Sequence, residues 1–326
     1  MTEKIINQLG FQFTSGFDVQ GRLSISDLFP KSKNRCGIYL LNSSDNTFYI
    51  GQATDNVKRF SQHRKNYDNI TNYWFQGVKE QNLNETERRI IQEAEVCGLL
   101  LTNKTYVSNV IGETDLDMVI SPSDQKAWLE DNKDFPSDDY DLFSRVDVRH
   151  KIKYKQNFER LRQLEDYSTI KKILNIYIKK SLPVYNKTEL SFWSLSCLPS
   201  TNKMTYPRYF CLNVNAMEVF VSGYNKVTNK PFCFINISSR LFSKTELNEI
   251  AEKYKSLNIY ETNYRAAGAE QFCFEFSDFK EFENMLLSEP KVIKSIKELN
   301  LRLMRKGGTI YSPYHCFNLI NDVLKD

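Results

Sequence analysis

Tyr39, Tyr49, Arg59 and His63 stand close together in the first third of the chain, with Glu85 and Glu87 following before residue 90. A guanidinium stays charged and offers a planar fork that can grip a phosphate while negative charge grows on it. A phenol, with an ordinary pKa of about 10, is a weak base at neutral pH, so it needs a cation or a second base beside it. An imidazole is the natural second base. This set points to phosphate chemistry, and among phosphate reactions to the cleavage of a diester.

The elements that must position these groups follow from the segment CGIYLLNSSDNTFYIGQATDNVKRFSQHRKN. Two apolar, β-prone runs, Cys36 to Leu41 and Phe48 to Ile50, flank the turn formers Asn42 to Asn46, which predicts an antiparallel hairpin with Tyr39 and Tyr49 on adjacent strands. Gly51 is expected to end the second strand. Asp55 or Thr54 then caps a helix whose first turns carry Val57, Phe60 and Arg64. Arg59 and His63, four apart, lie one above the other on that helix. From Leu83 onward, Ile90, Ile91, Ala94 and Cys97 recur at helical intervals, and Gly98 marks the stop. Glu85 and Glu87 sit in the first turns of this second helix, pointing in different directions.

The chain has 326 residues, enough for two ordinary domains, with 41% hydrophobic and 26% charged residues. No apolar run approaches the roughly 18 residues of a membrane span and the first residues form no signal peptide, so a cytoplasmic address is expected. Seven cysteines without a CxxC pair, most of them in strand-like runs, read as buried reduced thiols. Three histidines are too few for a multi-histidine metal site. The acidic stretch Glu130 to Asp141 reads as an exposed loop, and places a domain boundary near 140 to 150.

Gly37-Ile38-Tyr39 and Tyr49-Ile50-Gly51, in order and at hairpin spacing, resemble the paired motif of the GIY-YIG nuclease superfamily. The likeness covers about residues 35–104, a fifth of the chain, and the continuation through Asp115-Leu116-Asp117, Ser121-Pro122, Gln125 and Trp128-Leu129 also resembles uncharacterised bacterial proteins bearing this domain. It implies a small α+β nuclease domain in which Tyr39 activates the attacking water, Tyr49 orients water or phosphate and Arg59 binds the scissile phosphate. His63 then relays a proton or holds Tyr39. Glu87, or by a shift of register Glu85, holds Mg²⁺ or Mn²⁺ against the leaving oxygen, and Asn103 closes the site. The chain departs from some relatives in having Gln52 after the second motif where lysine or serine often occurs, which leaves His63 or Lys58 to assist Tyr39.

The resemblance therefore implies a metal-dependent endodeoxyribonuclease of restriction, mobile-element or host-defence type. Its partner would be double-stranded DNA, with or without modified bases, and a double-strand break would ask for a homodimer or two successive nicks. A non-catalytic nucleic-acid-binding protein and a structure-specific repair nuclease are the alternatives.

The expected architecture is a mixed α/β chain of the α+β type. Residues 1–145 form an N-terminal extension and the nuclease domain, and 146–326 a second α+β domain for target recognition. Cut at 150, the first part carries 17 Lys/Arg against 22 Asp/Glu and the second 27 against 18, which makes the second the electrostatic anchor for a polyanion. Lys58, Arg64, Lys151, Lys153, Lys155, Arg208, Arg305 and Lys306 are the candidate nucleic-acid contacts. Lys151, Lys153 and Lys155 belong to a basic run with Tyr154 and Phe158 interleaved. Arg305 and Lys306 open the loop Gly307-Gly308-Thr309.

Overall fold

The computed structural model describes residues 2–11, 16–131 and 148–325. It is of mixed α+β type, with two antiparallel sheets. The chain divides into two compact units, Met1–Gly112 and Glu113–Asp326.

In the first unit, β1 (Phe17–Asp18), β2 (Gly37–Ser43), β3 (Phe48–Ala53) and β4 (Ile70–Gly77) form one sheet in the order β1-β4-β2-β3. The expected hairpin is β2 and β3, but the second strand runs on past Gly51 to Ala53. Alternation sends the side chains of β2 to two different cores. Ile38 and Leu40 join Ile50, Ile90, Ile91 and Ala94 on the face covered by α1 (Thr2–Gln8) and α3 (Leu83–Val96). Tyr39 and Leu41 join Val57, Phe60 and Tyr73 on the face covered by α2 (Asn56–Asn66). Each large apolar side chain so buried contributes about 1.5–3 kcal/mol, which pins the register: a slip by one residue would exchange the two faces.

Glycine is required at two motif positions. A Cβ on Gly37 would lie 2.0 Å from the carbonyl oxygen of Gln76, and one on Gly51 would lie 2.3 Å from the Tyr39 hydroxyl. The edge strand β3 is covered by the chain after α3: Phe48 N donates to Leu100 O and Thr102 N donates to Phe48 O, each at 2.8 Å. Asp55, not Thr54, caps α2, its carboxylate accepting from the amides of Val57 and Lys58.

In the second unit, β5 (Trp193–Cys197), β6 (Arg208–Val214), β7 (Met217–Asn225), β8 (Lys230–Ile237), β9 (Leu257–Glu261) and β10 (Phe272–Phe276) form a six-stranded sheet in the order β5-β6-β7-β8-β10-β9. One face packs on α7 (Tyr167–Ser181), α10 (Phe279–Ser288), α11 (Pro290–Arg305) and α12 (Phe317–Leu324) through Ile173, Phe220, Phe282, Leu299 and Ile320. The unit also contains α4 (Pro122–Leu129), α5 (Val148–Lys153), α6 (Lys155–Arg162), α8 (Tyr185–Thr188) and α9 (Lys244–Lys253). All seven cysteines are free, and five of them are buried.

The expected boundary at 145/146 falls outside the described residues, as does the acidic stretch from 132 on. The division comes earlier, after Gly112, because Leu116, Ile120 and Trp128 are buried in the core of the second unit. This changes the electrostatics. Residues 1–112 hold 13 Lys/Arg against 11 Asp/Glu, and residues 113–326 hold 31 against 29, so each unit is net +2. The basic second half is a product of where the chain is cut, and net charge does not mark either unit as the polyanion anchor.

Candidate active site

Tyr39 and Tyr49 come from neighbouring strands and share a face, because Tyr39 pairs with Gly51 and Leu41 with Tyr49. Gly51 opposite Tyr39 leaves room for both rings, whose centroids are 6.2 Å apart. Tyr73, from β4 and wholly buried, stacks on the other side of Tyr39 at 6.1 Å with the rings 9° from parallel. Tyr39 is thus held between two rings, and its hydroxyl points towards α2.

That hydroxyl is the junction of the site. Arg59 Nε donates to it at 3.2 Å, and His63 Nε2 lies 2.8 Å from it. A guanidinium can only donate, and in the His63 tautomer protonated at Nδ1 the phenol gives its own hydrogen to His63 Nε2. Burial, followed by the charge of Arg59, drives the imidazole pKa down to about 4, so His63 is neutral at physiological pH. Burial, then Tyr49, pushes the Tyr39 phenol well above its ordinary range, and the opposing effect of Arg59 does not overcome this. Tyr39 alone would be a poor base, whereas Tyr39 bonded to a neutral imidazole has somewhere to send its proton.

Arg59 itself is exposed, and its Nη1 reaches Gln62 at 3.1 Å. The bond to Tyr39 raises its pKa, so its positive charge is secure. Tyr49 lies 5.0 Å from the His63 ring, centroid to centroid, and burial raises its phenol too. A cavity of about 540 Å³ opens beside Tyr49 and His63, with Tyr67, Asn103 and Lys104 on its wall; Arg59 and Glu87 are not part of that wall.

Glu87 reaches the site from α3. Its Oε2 accepts from Gln52 Nε2 at 3.1 Å, Gln52 also donates to Asn84 Oδ1 at 2.8 Å, and its charge is felt at both Tyr39 and Tyr49. Glu85 is exposed beside Arg88 and Arg89, on a different part of the helix. Of the two carboxylates, Glu87 is the one directed at the phenols. Among the described residues no three His, Cys, Asp or Glu side chains gather in one place. One carboxylate beside hydroxyl oxygens is a hard oxygen donor set, which fits Mg²⁺ or Mn²⁺ with water in the remaining positions.

Asn103 is buried and its amide is doubly engaged with β3, Oδ1 accepting from Ile50 N at 3.1 Å and Nδ2 donating to Ile50 O at 2.8 Å. It closes the sheet edge beneath Tyr49 and is a scaffold group. Lys58 is exposed, one residue before Arg59.

Most of the other cations expected at nucleic acid are engaged within the protein. Arg64 is buried and donates to the carbonyls of Asp68, Val19 and Ile70 at 2.8, 2.7 and 3.0 Å. Arg208 forms a two-pronged pair with Glu218. Arg305 donates to Asp117 Oδ1 at 3.1 Å and Gln125 Oε1 at 2.9 Å, and the buried Lys306 donates to Ala266 O. The glycine loop after it is tied to the neighbouring chain, with Thr309 N donating to Ser191 O and Asn215 Nδ2 to Gly307 O. Lys153 donates to Pro313 O at 2.7 Å, Lys151 is half-buried and Lys155 is exposed.

Two residues that matter here, Tyr73 and Asn56, carry no sequence signal of their own, and a third, Gln52, has none for the part it plays. Tyr73 and Asn56, both wholly buried, lie behind Tyr39 and at the start of α2, and Gln52 steers Glu87. A strand pairing between β4 and β2 would have been needed to find Tyr73. Among the described residues no helix is long and apolar enough to cross a membrane. Comparison with family models, with curated proteins and with solved structures finds no match to this chain.

Proposed function

We propose that the chain is a cytoplasmic, divalent-metal-dependent DNA endonuclease of restriction, mobile-element or host-defence type. The observation that carries this reading is the Tyr39 hydroxyl held between Arg59 Nε and His63 Nε2. The resemblance of Gly37-Ile38-Tyr39 and Tyr49-Ile50-Gly51 to the GIY-YIG nuclease superfamily supports it from an independent direction.

In this reading a water molecule attacks the scissile phosphorus while its proton passes to the Tyr39 oxygen, whose own proton moves to the neutral His63 Nε2. The exposed fork of Arg59 takes the growing charge on the phosphate, and Tyr49 fixes the direction of approach. Glu87, steered by Gln52, would hold Mg²⁺ or Mn²⁺, which when bound supplies positive charge against the leaving oxygen.

The purified chain, incubated with modified, unmodified and branched duplex DNA, is expected to cut in Mg²⁺ and to stop in EDTA. Glu87→Ala is expected to abolish cutting while circular dichroism stays that of the parent. Full activity in Glu87→Ala would end the metal assignment. Binding of DNA with no cleavage of any substrate would turn the chain into a non-catalytic binding protein.

A further inference from the structure

A second cavity, of about 510 Å³, lies wholly within the C-terminal unit. Its volume is that of a small-ligand pocket, for which roughly 300–1,000 Å³ is usual. The floor is the face of the six-stranded sheet turned away from the helices, where Asn213 pairs with Ser194 on one side and Glu218 on the other, and Cys211 with Ser196 and Val221.

Asn213 is the residue that asks for a ligand. It is only 4% exposed, and among the described residues its amide bonds to nothing but the Cys211 thiol, donating at 3.4 Å and accepting at 3.7 Å. A thiol is a weak donor and a weak acceptor, so a buried amide is left close to unsatisfied, which costs about 1–3 kcal/mol and calls for an explanation. Arg208 and Glu218 stand beside it as a two-pronged pair, with the Tyr264 hydroxyl 3.4 Å from Glu218. Tyr154, Tyr311 and Tyr314 are among the lining residues, as are Arg160 and Lys203, which are exposed.

Every nucleobase presents on its pairing edge a donor beside an acceptor, and a carboxamide presents the same two groups in complementary order, the arrangement with which asparagine also grips the N6/N7 edge of adenine. Phenol rings are stacking platforms for a base, whatever its identity. Exposed cations suit the phosphate attached to it. We propose that this cavity binds a single unpaired nucleobase, with the Asn213 amide in place of the pairing partner, tyrosine rings against its faces, and Arg160 and Lys203 near its phosphate. The base could be one turned out of a DNA strand or one on a free nucleotide. Its DNA form rests on the endonuclease reading, and there the cavity would choose which site is cut, favouring bases that leave the stack easily.

The test uses the full chain in EDTA, where no cutting occurs, with short duplexes that are fully paired or carry one mispair, and separately with free deoxynucleoside monophosphates. The mispaired duplex is expected to bind about tenfold more tightly than the paired one, since its base is the less costly to extrude. Asn213→Ala and Tyr311→Ala should each remove most of that preference and leave affinity for paired DNA unchanged. Binding of free monophosphates that depends on Asn213, with no mispair preference, would support the cavity and name the free nucleotide as its ligand. Neither form of binding, or binding indifferent to both substitutions, overturns the proposal. Tyr311 is only half-buried, so Tyr311→Ala decides the matter if Asn213→Ala does not fold. A chain that cuts no DNA yet keeps Asn213-dependent binding ends the nuclease reading alone. One that cuts DNA without such binding ends this one alone.

Discussion

Arg59 in the N-terminal unit and Arg208 in the C-terminal unit are the same side chain in opposite circumstances. Arg59 lends Nε to a phenol and Nη1 to the side-chain oxygen of Gln62 and meets no carboxylate in either bond, whereas Arg208 is matched prong for prong by Glu218. Arg305 and Lys306 follow Arg208, engaged by Asp117, Gln125 and a backbone carbonyl. The contrast recurs within a single helix, since Arg64 on α2 is buried against three carbonyls one turn and a residue beyond Arg59. A cation becomes available to a phosphate only when the fold has left it no better partner, and a count of lysines and arginines does not reveal which ones those are.

The largest effect expected from this contrast separates Arg59 from Arg64. Arg59→Ala should lower kcat about 10²–10³-fold, the usual loss on removing one donor to a developing oxyanion, with stability changed by less than about 0.5 kcal/mol because the side chain is exposed. Arg64→Ala should do the reverse. It strands the carbonyls of Val19, Asp68 and Ile70, which should lower the free energy of unfolding by about 1–3 kcal/mol, read from urea denaturation, while the folded fraction keeps its turnover. A catalytic loss in Arg64→Ala without a stability loss would dissolve the distinction.

How far the sequence revealed this molecule follows the same divide. The hairpin, a cap for α2 at Asp55 or Thr54 and a helix stop just before Gly98 were legible because turn formers, capping residues and apolar spacing are local signals. So was the placing of Arg59 and His63 on one face. The extension of β3 to Ala53 was not, because it depends on pairing with β2. Nor was the turn between β6 and β7, where Asn215 has a φ of +54°. The strand β9 has no local signal of its own, and is a strand because β10 lies beside it. The division after Gly112 was hidden for a like reason, since only the burial of Leu116, Ile120 and Trp128 in a distant core assigns that stretch to the second unit. Within the site, Tyr73 and the service of Asn103 to Ile50 are products of long-range pairing that no local pattern announces.

A middle-sized effect concerns pH, and it tests whether Arg59 acts on its neighbours by charge. His63 has its pKa driven down to about 4, with burial the first cause and Arg59 the second. A histidine whose pKa is lower folded than unfolded binds more protons when unfolded, so its contribution to stability is present above about pH 6.5. That contribution is lost as pH falls towards 4. The acid limb of kcat/KM should accordingly lie near pH 4, far below that of an exposed imidazole. Arg59→Ala should move the His63 titration part of the way up, followed by NMR of the imidazole protons with His63→Gln as the assignment control. A titration that does not move would leave burial as the sole cause.

The smallest effect sets an exposed cation of the first unit against a buried one of the second. Each lysine that contacts a phosphate adds about one released counterion, so its loss lowers the salt slope of DNA binding by about one. Lys58, exposed and next to Arg59, should behave in this way, and Lys58→Ala should weaken binding equally for all duplex sequences. Lys306, buried on the carbonyl of Ala266, should leave the slope unchanged on going to alanine and should instead lower stability, since that carbonyl loses its donor. Both slopes can be measured by fluorescence anisotropy across a salt series in EDTA. An unchanged slope for Lys58→Ala beside a reduced one for Lys306→Ala would mean that availability, as read from partners and burial, is not what selects the cations that meet the polyanion.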